Sequence, residues 1–431
     1  MMPKILLVNP AVFDFTAYDF WLKPYGLLSV AGFLRGKADF ALFDYMDRNH
    51  SFVAANPTLK SDRWGRGNYC KEKIARPEII KDIPRYYYRF GLPRKIFQRF
   101  LAENTGIDFV FVQTMMTWWY PGVSEVIEDI REFAPRAKVV LGGNYATLCP
   151  EHARTLGADF IVSGTDLEPL YKYLCIQPDY NQPAIWEAYS KLEVGVGKLT
   201  DGCPFRCTYC SVPKVYGGFS PRPLSRSIAE FAMLRDRGVR NIAFYDDALL
   251  YRAEEIALPF FEEVIKQNCG INLHTPNALN ARFITPEIAD VMVRAGFKTF
   301  YLGFESSDIE WQKSTGGKVV SEELATAVKN LKNAGALPQN ITAYQILGHP
   351  DCDFQQLEES MYYVNSLGIR GMLADYSPTP MTADGQKCAK WIDLSEPLLH
   401  NKTVFAIKRL GFEESNRFKD LQRTLNHSID S

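Results

Sequence analysis

Short apolar runs alternate with helical patterns along almost the whole chain, and that rhythm leaves few folds open to it. In the first 175 residues the runs are Ile5–Val8, Phe40–Phe43, Phe109–Val112, Val139–Leu141 and Phe160–Val162. Uninterrupted apolar runs of this length predict strands buried on both faces of a parallel sheet. Helical patterns such as Tyr25–Arg35 and Val123–Phe133 lie between them, closed by turn signals at Gly142-Gly143 and Gly157. Five βα units predict a doubly wound α/β sheet of the flavodoxin or Rossmann type over residues 1–176, with ligands at the carboxyl ends of the strands. A second series follows: Val194–Leu199, Asn241–Tyr245, Ile271–His274, Thr299–Leu302, Ile341–Ile346 and Gly371–Tyr376. Six βα units predict an open, partial (β/α)6 TIM-like barrel over 191–380, again with its site at the carboxyl ends of the strands.

Three stretches break the rhythm. Residues 48–105 are too long for a plain loop and predict a helical insertion. Its middle, Arg85–Phe100, interleaves aromatics with basic residues and reads as an amphipathic lid with snorkelling arginines, or as a patch for an anionic ligand. The proline-bearing stretch 177–190 reads as a linker, and 381–431 as a polar helical tail. The opening residues, Met1 to Pro10, read as a strand running into a turn and not as a signal peptide. No apolar stretch approaches the roughly 20 residues of a membrane span. A cytoplasmic location is therefore expected, where cysteines serve as ligands more often than as bridges. The balance of 49 basic against 50 acidic side chains disfavours a nucleic-acid partner.

Of nine cysteines, three fall within eight residues: Cys203, Cys207 and Cys210, in Thr200-Asp201-Gly202-Cys203-Pro204-Phe205-Arg206-Cys207-Thr208-Tyr209-Cys210. The loop directly follows the first strand of the second series. Three thiolates at Cys-x3-Cys-x2-Cys spacing can wrap one corner of an iron–sulfur cluster and leave one iron open. A structural zinc site completed from elsewhere is the plainer reading, but no second Cys-x2-Cys knuckle is present.

At these residues, with the aromatic Tyr209 before the last cysteine, the sequence resembles the radical S-adenosylmethionine (radical SAM) superfamily. The resemblance implies a 4Fe–4S cluster on the three cysteines. S-adenosylmethionine would chelate the open iron and be cleaved by one electron to a 5′-deoxyadenosyl radical. A flavodoxin- or ferredoxin-type donor is the expected electron source, and a small molecule or peptide the expected substrate.

Other rim positions extend the resemblance. Asp246 and Asp247, after Tyr245, stand where the family contacts the amino group of S-adenosylmethionine, in the style of the cobalamin-associated branch. Glu305 resembles a residue that contacts the ribose or the methionine carboxylate, and Arg282 could pair that carboxylate. Gly348 belongs to a partial match of an element near adenine, in which Tyr344 replaces the first glycine. His349 is a candidate acid or base, Cys352 a candidate thiol, and Tyr376 begins a segment resembling the last-strand wall of the site. Each also has a plainer reading: helix cap, salt-bridged rim residue or buried packing group.

The first half resembles the cobalamin-binding domain that precedes many such enzymes. Thr117 and Trp118 in Gln113–Gly122, Gly142, Gly143 and Tyr145 in Leu141–Leu148, and the segment Ser163–Glu168 carry that resemblance. The departure is that no histidine precedes His50, so the Asp-x-His-x-x-Gly imidazole ligand is missing. Three functions follow as expectations: cobalamin-assisted methylation of an unactivated carbon, cobalamin-independent radical chemistry such as cyclisation, rearrangement or oxidation, or a non-catalytic iron–sulfur electron-transfer or binding protein.

Overall fold

The computed structural model describes residues 2–56 and 59–430. Met1, positions 57 and 58 of the insertion, and the last residue of the tail fall outside them. The chain divides into two units, 1–193 with 236–238 and 393–401, and 194–235 with 239–392 and 402–431.

The first unit is built on five parallel strands: β1 (Lys4–Asn9), β2 (Asp39–Asp44), β3 (Phe109–Thr114), β4 (Lys138–Gly143) and β5 (Phe160–Val162), in the order β5-β4-β3-β1-β2. This is the flavodoxin-like order. The chain leaves β1 to one side for β2 and returns on the other for β3, so the switch point lies between β1 and β3. Ile5, Leu6, Leu7 and Val8 have no exposed surface, as a central parallel strand requires. Helices α1 (Tyr25–Gly32), α2 (Arg94–Glu103) and α3 (Tyr120–Phe133) pack this unit.

The insertion differs from the expected helical one. It contains α2, but also two strands of a three-stranded antiparallel sheet in which Tyr87–Phe90 pairs with both Lys71–Ile74 and Val12–Asp14, the last from outside the insertion. Tyr87 and Phe90 are buried, and aromatics of this kind favour a pleated, half-buried surface over a helix. Two of its arginines, Arg89 and Arg94, are held by carboxylates of this unit. Arg89 is 5% exposed; its guanidinium meets the Glu125 carboxyl at 2.6 Å and donates to the Leu92 carbonyl at 2.7 Å. Arg94 pairs with Glu128 and Asp129. The stretch 177–190 is not a free linker either. Trp186 is fully buried, Ile185 N donates to Leu28 O, and Tyr189 Oη donates to Asp44 Oδ2 at 2.5 Å.

The second unit carries β6 (Val194–Gly197), β7 (Asn241–Phe244), β8 (Asn272–Asn280), β9 (Phe297–Glu305), β10 (Ile341–Leu347) and β11 (Arg370–Asp375), all parallel and paired in chain order. Six strands without a closing pair make a partial barrel. Around them run α4 (Leu224–Asp236), α5 (Ala257–Gln267), α6 (Pro286–Ala295), α7 (Ser321–Asn333) and α8 (Phe354–Ser366). The tail is helical as expected, α9 (Lys402–Leu410) and α10 (Phe412–Asp430), but it is not a separate module. An open barrel leaves unpaired backbone groups along its last strand, and α10 supplies side chains to them. Gln422 Oε1 accepts from Leu373 N at 3.0 Å, and the Asn426 amide both accepts from Gly371 N and donates to Gly371 O at 2.9 Å. Lys419 pairs with Asp375.

Candidate active site and cofactor sites

The cysteine loop hangs from a short neck. Thr200–Asp201 pairs antiparallel with Ser220–Pro221. Across it Arg222 grips Asp201 at 2.8 and 2.9 Å, and the buried Lys198 meets Asp201 at 2.9 Å. These two cations hold the Asp201 carboxyl well below the usual carboxylate range. Gly202 (φ +71°) is required here, because a Cβ would come within 1.9 Å of Gly218 O.

Asp246 closes the neck from β7. Its Oδ1 accepts from Leu199 N, Thr200 N and Thr200 Oγ1 at 2.6–2.8 Å. Its other oxygen is buried without a hydrogen-bond partner, as are one oxygen of Asp247 and the side-chain nitrogen of Asn280. Burial raises the Asp246 carboxyl to about 6, against the pull of the Thr200 bonds. Asp247 rises for the same cause. Half of Asp246 thus holds the loop, while three polar atoms at the carboxyl ends of β7 and β8 await partners.

The thiols of Cys203, Cys207 and Cys210 share one electrostatic environment. Burial raises all three, Cys210 to about 11, and the amino group of Lys318 opposes this at each. Sequence reasoning missed Lys318. It sits on the loop after β9 and meets Glu305 at 3.9 Å, and the three thiols all raise its own pKa. Its only sequence signal was the Gly316-Gly317 pair before it. Gly316 (φ +127°) lies so close that a Cβ would stand 3.1 Å from Cys207 Cα, and Thr208 N donates to Thr315 O. Among the described residues no three His, Cys, Asp or Glu converge tightly enough for a single metal ion. Three thiols on one loop, each acted on by the same Lys318 amino group, make a donor set that fits a 4Fe–4S group, in which each thiolate takes a different iron.

Glu305 ends β9 at a β-bulge with a left-handed backbone (φ +64°), a strained conformation for a residue with a Cβ. Its carboxyl is raised by burial and lowered by Lys318. The Tyr209 hydroxyl is held protonated, first by burial and then by Glu305. Tyr209 stacks on Trp311, 6.0 Å between ring centroids at 13°.

Arg282 is already engaged by protein groups. Its Nε bonds Glu323 at 2.7 Å and its Nη2 donates to Gly317 O at 2.9 Å, while Glu323 also accepts from Val320 N. It braces the loop that carries Lys318. His349 also has both ring nitrogens engaged. Nε2 meets Asp384 Oδ2 at 3.0 Å, and Nδ1 accepts from Asp351 N at 3.2 Å. That arrangement suits positioning better than proton transfer. Tyr376 packs edge-on against His349, and burial raises its hydroxyl. Burial pushes the Cys352 thiol to about 11, the opposite of an activated nucleophile. Gly348 (φ +85°) serves the turn out of β10.

In the first unit, a depression lies at the β1/β3 switch point. It is lined by Pro10, Val12, Met115, Met116, Trp119 and Tyr145 among others, with Asn9 and Gln113 at its polar side. No histidine lines it. The lining offers apolar contacts for a flat ring and no imidazole to ligate a metal. Trp118 is turned away from such a role. Both indoles, Trp118 and Trp119, donate to Asp14 Oδ2, at 2.7 and 2.8 Å, and Asp14 Oδ1 accepts from Asn401 Nδ2 at 2.9 Å. Thr117 Oγ1 meets His400 Nδ1 at 3.1 Å. Tyr145 is fully buried, with its hydroxyl 2.6 Å from His152 Nδ1. Gly143 (φ +118°) is demanded by Thr114 O, 2.1 Å from where a Cβ would stand, and Gly142 lies beside Val162.

Comparison with known proteins agrees with this geometry. Residues 198–362 match the radical SAM superfamily and residues 93–173 the B12-binding domain. The chain therefore carries a radical SAM domain, with a B12-binding domain ahead of it in the sequence. It is 26% identical to an uncharacterised methyltransferase of Pyrococcus horikoshii over 41% of this chain and 37% of that protein. It is 28% identical to the bacteriochlorophyllide d C-12(1)-methyltransferase of Chlorobaculum tepidum over 52% of this chain and 50% of that one. The chain thus spans half or less of the length of these curated relatives. Its fold resembles that of the radical S-adenosylmethionine methyltransferase TsrM of Kitasatospora setae, with a TM-score of 0.65 and 15% identity over 90% of this chain and 76% of that one.

Proposed function

We propose that this protein is a cobalamin-dependent radical SAM methyltransferase. The observation that carries the reading is the thiol triplet after β6, with the charge of Lys318 acting on all three thiols and unpartnered Asp246, Asp247 and Asn280 atoms at the adjoining strand ends. Cys203, Cys207 and Cys210 would hold a 4Fe–4S cluster, which supplies the electron that cleaves S-adenosylmethionine. The free oxygens of Asp246 and Asp247 would accept from the methionine ammonium group. Lys318 would take the carboxylate in place of Arg282. Glu305 would meet a ribose hydroxyl, and Tyr209 would pack against the nucleoside.

The switch-point depression would hold the corrin, with Met115, Met116 and Trp119 against its face. The methyltransferase names of the relatives and the cobalamin and 4Fe–4S cluster bound to TsrM support this over cobalamin-independent chemistry. The substrate is a small molecule or peptide and the reductant a flavodoxin- or ferredoxin-type protein. Among the described residues no helix is long and apolar enough to cross a membrane, and a cytoplasmic location is part of the proposal.

The test is anaerobic incubation of the reconstituted protein with dithionite and S-adenosylmethionine. The expected product is 5′-deoxyadenosine, together with a corrin absorbance band on the purified protein. No 5′-deoxyadenosine overturns the enzyme reading. Product without any corrin band selects cobalamin-independent chemistry. Cys207→Ala should lose the brown chromophore, and full iron retention would refute the ligand assignment.

A further inference from the structure

The cysteine loop is gripped from outside the barrel. Between Cys207 and Cys210 stands Thr208, whose Oγ1 donates to Asp384 Oδ2 at 2.5 Å. Asp384 N in turn donates to Thr208 O at 3.2 Å. Asp384 lies on the short helix Ala383–Lys387, beyond β11 and beyond the residues that match the superfamily. It is 1% exposed, and each of its oxygens has a separate task. Oδ2 accepts from Thr208 and from His349 Nε2 at 3.0 Å; Oδ1 faces the Lys387 amino group at 2.8 Å. The Asp351 N–H on His349 Nδ1 fixes the imidazole proton on Nε2, so His349 can only donate to Asp384. Trp311 packs edge-on against His349, 5.1 Å between ring centroids, and stacks on Tyr209. One network therefore holds both residues that separate the second and third cysteines.

We propose that Asp384 is a positioning residue for the cluster loop, and that the charges of Asp384 and Lys387 tune the cluster's reduction potential alongside Lys318 and Glu305; this rests on the cluster assignment above. The two functions separate along the two oxygens. Contact with Thr208 and His349 through Oδ2 needs only an acceptor. The charge, offset in part through Oδ1 by Lys387, which also pairs with Asp351, acts on the cluster by Coulomb's law. Reduction adds negative charge to the cluster. A change that leaves the neighbourhood more positive therefore raises its potential, and one that leaves it more negative lowers it.

The experiment uses the full chain, reconstituted with iron and sulfide, with iron content measured and the midpoint potential followed by electron paramagnetic resonance. Asp384→Asn keeps an acceptor for Thr208 and His349 but removes the charge. It should keep wild-type iron and shift the midpoint upward. Lys387→Met should keep its iron and shift the midpoint downward. Asp384→Ala removes the latch and should lose most of its iron, with far-UV circular dichroism unchanged. Shifts of the same sign in Asp384→Asn and Lys387→Met, no shift in either, or wild-type iron in Asp384→Ala would overturn the proposal while leaving the cluster assignment standing. A wild-type chain that takes up no cluster overturns both.

Discussion

Removing the Asp14 carboxyl should unfasten the rim of the first unit, and its cost can be worked from the bonds it accepts. Asp14 is 1% exposed and takes N–H groups from Phe15, Trp118, Trp119 and Asn401 at 2.7–2.9 Å. In Asp14→Ala these donors lose their acceptor. Trp119 borders the switch-point depression, so water can reach its indole. Trp118 and Asn401 are buried and pay the full desolvation cost, about 1–3 kcal/mol each. The expected loss is about 4 kcal/mol. Asp14→Asn keeps one acceptor oxygen and should lose about half of that. Five of the seven tryptophans, at positions 21, 64, 118, 119 and 186, belong to this unit, so tryptophan emission during urea denaturation reports chiefly on it. With a slope of about 2 kcal/mol per molar urea, the midpoint should fall by about 2 M in Asp14→Ala. A wild-type midpoint there would mean that the indole bonds are dispensable and that Trp118 is free to face a ligand.

Three further outcomes are expected. His400, fully buried between Thr117 Oγ1 and Leu394 O, is lowered by burial from 6.5 to about 4. The unfolded chain then binds a proton that the folded one refuses, so stability present above pH 6.5 falls as the pH drops toward 4, by up to about 3 kcal/mol. Urea midpoints of the first unit at pH 7 and pH 4.5 measure this, and His400→Gln should flatten part of the difference. Lys318→Met should weaken S-adenosylmethionine binding to the reconstituted protein about tenfold by calorimetry, the size of one charge-assisted bond; unchanged affinity would remove Lys318 from the carboxylate site. Gly316→Ala places a Cβ 3.1 Å from Cys207 Cα at φ +127° and should lower the iron content on reconstitution, whereas full incorporation would show that the loop can yield.

What could be read from the sequence followed the physics of each signal. The sheet strands were legible because a strand buried on both faces must be apolar throughout; Phe160–Val162 was placed to the residue and the others to within three positions, except β8, which runs six residues past the expected His274 to Asn280 where the sequence turns polar. The cysteine triplet was legible because its ligands sit on one loop, where spacing and geometry are nearly the same thing. Other features depend on contacts that spacing cannot encode. Arg282 looked available for a carboxylate, but Glu323, 41 positions away, already holds it. Arg89 looked like a snorkelling or anion-seeking arginine until α3 brought Glu125 beneath it. Lys318 and Asp384 carried no motif of their own, yet one lies 108 positions beyond Cys210 and the other 174, and both act on the cysteine loop. A cluster that supplies the reaction's electron needs few ligands but a fixed field and a fixed loop. The ligands are local in sequence, whereas the charges and latches that hold them come from wherever the barrel's rim returns, so the chemistry of such a site can be read before its control can.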